Sequence, residues 1–306
     1  MRLILLPFLL AMGCSSPTTN DVIPTDDEKT TAPVTPAESG QEPTAPSASL
    51  GSRSVDARVA DAKSRLASTP AGQLMWSAIE AHGGLQKWLE GGTITFRFTY
   101  TPVDTSKPPN DTRQWVDLWN AHAKHTLVAK PEISFGWDGQ QAWVSPPGAD
   151  PGTNPRFWSL TPYYFVGVPF VLADPGVILT QEADAEFEGK TYHVVRATFE
   201  AGVGDASGDY YVVYIDPETS RVRGLRYIVS YKGFFPNGGH TPEKLMAYDG
   251  AQTIEGITLP TSFRTFAWDG GKVGDLVTNT TLTEVSFRPD ITDFSVPPGA
   301  EIRPGY

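Results

Sequence analysis

The chain has one cysteine among its 306 residues, Cys14. An intramolecular disulfide framework and a Cys-based zinc site are therefore both excluded. Basic residues are also few: 24 Lys and Arg stand against 35 Asp and Glu, a formal net charge of −11. No Lys/Arg cluster offsets that balance, so the basic footprint of a nucleic-acid binder is missing, and the acidic surplus is accounted for by solubility. There is no Gly-x-Ser-x-Gly elbow, no His-Glu-x-x-His helix and no nucleotide-binding fingerprint. The glycines and prolines around 147–155 lack the strand-to-helix setting and the Lys/Ser pair of a phosphate loop. No cofactor is implied.

Aromatic residues are absent from 15–54, which holds six Pro, seven Thr and seven Ser. Such a stretch cannot bury enough apolar surface to offset its ordering entropy and is expected to be a disordered tether over 14–54. Before it, residues 1–13 carry one Arg and a short apolar run that is too brief to span a bilayer and reads as a secretory signal. The run Leu10-Ala11-Met12-Gly13-Cys14 resembles the lipobox of bacterial lipoproteins, with Ala11 where Leu is usual. That resemblance implies cleavage before Cys14 and acylation of its thiol, and several acyl chains hold a protein stably at a membrane. Ser15 after it is similar to the outer-membrane sorting pattern. A thiol committed to lipid also excludes cysteine-based catalysis.

A single folded domain is expected over 55–306. Val55, Val59, Ala62 and Leu66 recur at helical spacing, and Thr69-Pro70 reads as an N-cap with proline at the first helical position. Leu74, Met75, Ala78 and Ile79 form the stripe of that second helix, which Gly83-Gly84 ends; a short third helix over 85–89 precedes Gly91-Gly92. The period then changes to two. Strands are expected over 93–100, 113–119, 126–129, 133–137 and 141–144, with Asp138-Gly139 as a hairpin turn. Across 113–119, alternation groups Trp115, Asp117 and Trp119 on one mixed face.

The stretch 157–179 has no charge before Asp174 and is too apolar to be an exposed connection, so 157–173 reads as a helical plug packed into the sheet. Hairpins follow, 177–187 with 190–199 and 209–215 with 221–231, then strands near 247–248, 253–257, 262–267 and 276–287. Tyr210, Val212 and Tyr214 share one face and Tyr211, Val213 and Ile215 the other, so both faces are apolar and need cover or an enclosed cavity. The expectation is an α+β, mainly β domain: a strongly curved antiparallel half-barrel of about ten or eleven strands wrapping a helical plug, preceded by N-terminal helices.

This arrangement resembles the half-barrel of the lipoprotein carriers and receptors LolA and LolB and of related mycobacterial lipoproteins. Local motifs are similar to an uncharacterized group of bacterial lipoproteins assigned to that superfamily: Ala81-His82-Gly83-Gly84 with Trp88, Tyr164-Phe165, Pro169-Phe170-Val171-Leu172 with Asp174-Pro175-Gly176, and Tyr214-Ile215-Asp216-Pro217-Glu218-Thr219 with Arg223-Gly224. The resemblance implies a membrane-tethered envelope protein with an apolar cavity for an acyl chain or a lipoprotein ligand. Its candidate walls are Trp158, Tyr163, Tyr164, Phe165 and Phe170 of the plug with Phe96, Phe98, Tyr210, Tyr214 and Tyr227 of the sheet. The same residues serve equally as ordinary core.

Other readings stand beside it. His82 in Ala-His-Gly-Gly, with Gly83 and Gly84, reads as a helix end whose imidazole caps the last carbonyls. His122 and His125 point to opposite faces of an extended segment and lack a third ligand, so no metal is implied. His193 and His240 stand alone. Asp117, Asp174, Asp184, Glu186 and Asp209 leave open a hydrolase with an unrecognised carboxylate pair, and an envelope lipoprotein that binds other proteins, with a solid core, is the third class.

Overall fold

The computed structural model describes residues 54–204, 206 and 208–304. The expected leader, Cys14 and the tether up to residue 53 lie outside them. Three helices come first: α1 (Val55–Ala67), α2 (Pro70–Ala81) and α3 (Leu85–Glu90). Their starts follow local chemistry. Ser54 Oγ accepts from the Ala57 N–H, and Thr69 Oγ1 accepts from the Gly72 N–H with Pro70 in the first turn. At Gly83 the backbone has φ +118° and a Cβ would stand 2.2 Å from the Gly256 carbonyl oxygen, so only glycine fits this corner.

The strands are β1 (Thr93–Pro102), β2 (Asn110–Asp117), β3 (Ala123–Leu127), β4 (Ser134–Trp137) and β5 (Ala142–Ser145). The plug, α4 (Pro155–Val166) and a 3-10 turn (Phe170–Ala173), comes next. It is followed by β6 (Val177–Phe187), β7 (Lys190–Phe199), β8 (Tyr211–Ile215), β9 (Val222–Tyr227), β10 (Lys244–Asp249), β11 (Gln252–Ile254), β12 (Ile257–Leu259), β13 (Ser262–Asp269), β14 (Lys272–Phe287) and β15 (Glu301–Arg303). Thirteen strands form one antiparallel sheet in the order β15-β5-β4-β3-β2-β1-β14-β13-β10-β9-β8-β7-β6. The sheet is curved and unclosed, and the helices lie in its concavity. The half-barrel is therefore the expected one, with more strands than ten or eleven. Residues 253–257, read as one strand, turn at Glu255-Gly256 into the separate ribbon β11–β12, and the Pro-rich end supplies β15, paired with β5.

The concave face carries one large core. There α4 packs on β3, β4 and β5, and α2 on β6 and β7. Trp88 of α3 stacks on Phe170 with ring centroids 4.5 Å apart. Pro162 interrupts the amide ladder of α4, and the Ser159 carbonyl in the preceding turn accepts from His125 Nε2 at 2.9 Å. The Tyr248 hydroxyl donates to the Phe165 carbonyl at 2.6 Å, fixing the end of α4 to β10. On the outside of the plug, α1 sends Arg58 to Asp174 at 2.8 Å and Arg65 to the Ala173 carbonyl at 2.6 Å.

The strand expected over 113–119 is corrected at its end, and the two apolar faces expected of β8 are both present. In β2 the buried side is Thr112, Gln114 and Val116, so Trp115 turns outward; Trp119 has left the strand and its N–H donates to Asp117 in a turn. Polar residues inside and an aromatic outside invert the signal that alternation gives. In β8, Val213 and Ile215 join the concave core, while Val212 and Tyr214 join a second cluster on the convex face with Phe187, Tyr192, Val194, Leu245 and Ala247. Among the described residues no helix belongs to that second cluster. Its cover is the sheet's own arginines: Arg196 lies 4.1 Å from the Tyr210 ring centroid, Arg226 4.8 Å from that of Trp268, and Arg264 5.4 Å from that of Phe266. Each is held by an acid, Arg196 by Glu182 at 2.7 Å, Arg226 by Glu243 at 3.0 Å and Arg264 by Asp249 at 2.7 Å.

Candidate ligand cavity

Between the plug and strands β6–β9 lies a partly open cavity of about 160 Å³. Leu160, Thr161, Tyr164 and Phe165, spaced by one helical turn, give the α4 side of its wall. Val177, Phe199, Tyr211 and Tyr227 give the sheet side, and Val171 closes it from the 3-10 turn. A volume of this size is on the order of ten times what one water needs, in an interior where voids beyond a single water are few.

Three charged residues stand in its lining: Arg156, Asp174 and Asp209. The Arg156 guanidinium lies 3.5 Å from the Trp137 ring centroid. Asp174 keeps 41% of its side-chain surface accessible because that surface faces the cavity, yet it is hemmed in by protein. Burial pushes its pKa up and Arg58 pulls it partly back. Burial also raises Asp209, against the N–H and hydroxyl of Ser230 that hold its carboxylate. The hydroxyls of Tyr211 and Tyr227 are pushed up by burial and stay protonated. The wall is apolar with little charge.

Of the ten residues singled out in the sequence, Tyr164, Phe165 and Tyr227 line this cavity. Phe96, Phe98, Trp158, Tyr163 and Phe170 are brought together elsewhere in the concave core: Phe98 meets Trp158 at 6.5 Å and Phe96 at 6.4 Å between centroids, and Trp88 lies between Tyr163 and Phe170. Tyr210 and Tyr214 are on the convex side, and Tyr211 takes the position expected of them. The hairpin register Tyr211↔Tyr227 was the available signal, since Tyr227 was already on the inner face. Phe157 and Leu160 also line the site without belonging to its expected walls, as do Asp174 and Asp209, two of the carboxylates noted in the sequence.

His82 is the C-cap residue of α2, its N–H donating to the Ala78 carbonyl at 3.1 Å, but its imidazole does not cap that helix. Its Nε2 accepts from the Val222 N–H at 3.1 Å, so Nδ1 carries the proton and donates to the Thr258 carbonyl at 2.8 Å. Burial lowers its pKa, and the neutral ring ties α2 to β9 and β12. His193 is not alone: Asp184 lies 3.1 Å from its Nδ1 across the β6–β7 hairpin. Asp117 holds the Trp119 N–H, so Asp117, Asp174, Asp184 and Asp209 are each committed to a different partner. Among the described residues no cluster of three His, Cys, Asp or Glu could hold a metal, and no helix is long and apolar enough to cross a membrane.

An open antiparallel half-barrel around a helical plug, with a cavity between the two, is thus the class of fold. Residues 157–241 match the model of a family of unknown function, DUF6503. No curated protein matches the sequence. Among solved structures, the chain is similar to a LolA superfamily protein from Nitrosomonas europaea (12% identity, TM-score 0.47, covering 72% of this chain and 94% of that one). It is also similar to a DUF1329 family protein from Desulfovibrio piger (11%, 0.48, 74% and 96%) and to the lipoprotein LppX from Mycobacterium tuberculosis (13%, 0.26, 72% and 98%).

Proposed function

We propose that the protein is a lipid-anchored envelope protein that holds an acyl chain or a similar apolar ligand between α4 and strands β6–β9. The observation that carries this is the cavity itself, about 160 Å³ with aromatic and aliphatic walls. A solid core of the same residues would leave no such space. Each methylene moved from water into it contributes about 0.8 kcal/mol, so eight supply roughly 6 kcal/mol before ordering and association costs are subtracted. Micromolar retention is reasonable on that scale. The tether supports local binding at a membrane rather than free shuttling, and the pattern Leu10 to Cys14 with Ser15 supports acylation of Cys14 and an outer-membrane address.

The test is to purify the full-length protein from membranes, extract it with organic solvent and measure lipid by mass spectrometry. Stoichiometric lipid is expected, and Val229→Trp, which sets an indole into the cavity wall, should abolish binding of a fluorescent fatty-acyl probe without lowering the thermal midpoint. Absence of both lipid and probe binding refutes ligand carriage and leaves an envelope protein with a protein partner. The address is tested separately: Cys14→Ala should release the protein into the soluble fraction.

A further inference from the structure

The aromatic wall of the cavity continues beyond it. Phe157 of α4 and Tyr231, in the loop after β9, both line the cavity, and their ring centroids are 5.3 Å apart. Phe234, which is not part of the lining, lies 4.8 Å from Phe157 and 5.2 Å from Tyr231 between centroids. Tyr231 is buried, Phe157 is half-buried and Phe234 is 48% exposed. A lone exposed ring is ordinary on a protein surface. One that completes a three-ring cluster with two wall residues of a partly open apolar cavity carries that wall out into solvent.

The loop that presents Phe234 is held in place on the same residues. The N–H groups of Phe234 and Phe235 both donate to the Tyr231 carbonyl, at 2.9 and 3.0 Å, which closes a turn on a residue of the cavity wall. A Cβ at Gly233 would stand 2.4 Å from the Tyr231 ring, so glycine lets this turn fold against it. At the base of the loop the Thr241 N–H donates to the Val229 carbonyl at 2.9 Å, and Thr241 Oγ1 accepts from the Val229 N–H at 3.1 Å. Ser230 gives its N–H and hydroxyl to Asp209. The rings are thus positioned before any ligand arrives, which keeps the ordering cost of binding there small.

The cavity alone is short for an acyl chain. Its volume of about 160 Å³ is close to the roughly 150 Å³ of an apolar cavity that takes up one benzene. The hydrocarbon core of a bilayer is about 30 Å thick, so a chain that fills one leaflet runs to roughly a dozen carbons or more. Such a chain enters the cavity in part and leaves the rest outside. We infer that the rest lies across Phe157 and Phe234, an open second subsite in which Phe234 sets how steeply affinity rises with chain length. The inference rests on the acyl-binding reading above and extends it beyond the cavity.

The experiment is displacement of the fluorescent fatty-acyl probe from the full-length protein by octanoic and by dodecanoic acid, whose heads are identical, so that only chain length is compared. A methylene enclosed on all sides contributes about fourfold in affinity, and one covered on a single side about twofold. Dodecanoic acid should therefore bind about tenfold or more tighter than octanoic acid. Phe234→Ser should cut that gain to about threefold or less while leaving octanoic acid affinity and the thermal midpoint unchanged, and Phe234→Met, which keeps an apolar surface, should retain most of it. Equal affinity of the two acids in the wild type, a gain untouched by Phe234→Ser, or an equal loss for both acids in that variant overturns the second subsite alone. Failure of both acids to displace the probe, with no binding of the probe itself, overturns the cavity reading with it.

Discussion

The two faces of the sheet half formed by β6–β10 solve one problem in opposite ways. Both are apolar. The concave face is covered by another layer, α2 and the plug, and where the layers part a cavity remains. Among the described residues the convex face has no second layer: Arg196, Arg226 and Arg264 set their guanidinium groups over its aromatic rings and keep their charges paired with acids. A layer can stand off and leave space, whereas side chains lying flat on their own sheet cannot. A sheet apolar on both sides therefore leaves room for a cavity on one side only, and the side is the one that has a plug.

The comparison breaks most severely at Trp88, which fixes the covering layer from within the concave core. Trp88→Ala should cost about 3–5 kcal/mol in denaturant unfolding, because the ring stacked on Phe170 is lost and a void remains. Less than 2 kcal/mol would mean that the plug packs independently of α3. Next comes pH. Burial of His125 lowers its pKa to about 4 from the ordinary 6.5, so the unfolded chain takes up the proton first. Stability should fall as pH drops from 6.5 to 4, by about 3 kcal/mol in all, and level off below. Asp174 and Asp209, whose pKa values are raised, act in the opposite sense above their ordinary range, so the effect is read as the difference between wild type and His125→Gln, which should lack this slope.

Smaller still is Tyr248→Phe, which strips the buried Phe165 carbonyl of its donor. It should cost about 1–3 kcal/mol and loosen the probe held beside Phe165, as unfolding and probe titration together would show. The convex face should yield least. Arg226→Met keeps an apolar stem over Trp268 and should cost under about 1 kcal/mol, since the pair it breaks with Glu243 is partly exposed. Arg226→Ser, which removes the cover as well, should cost more. If the two variants are equally stable, the arginines act through charge and the contrast between the faces fails.

How far this could be read from the chain depended on whether the signal was local. Thr69-Pro70, Gly83-Gly84 and the apolar run of the plug are local chemistry, and the helices stand where those signals put them. The faces of β8 were not local, because Tyr210 to Ile215 is apolar at every position but depends on β9 and the plug for its sidedness. Thr112 and Gln114, polar and fully buried, concealed the inner face of β2. The pairing of β15 with β5 joins segments about 160 residues apart, and nothing in Glu301-Ile302-Arg303 announces it. In the site, the plug's share was visible in composition, while Asp174 and Asp209, in the loops before β6 and β8, became meaningful only once the fold had brought them to the cavity.

The clasp of α1 on the plug has a mechanical consequence. Arg58 and Arg65 bind the corner Ala173-Asp174, and Asp174 is part of the cavity wall. A load that reaches Val55 along the chain is therefore shared between the packing of α1 on α2 and α3 and two guanidinium links to the corner that lines the cavity. Tension on the N-terminal end and the width of the cavity are coupled in this design, so pulling from that end should give way first at the Arg58–Asp174 link and only later at strand pairs.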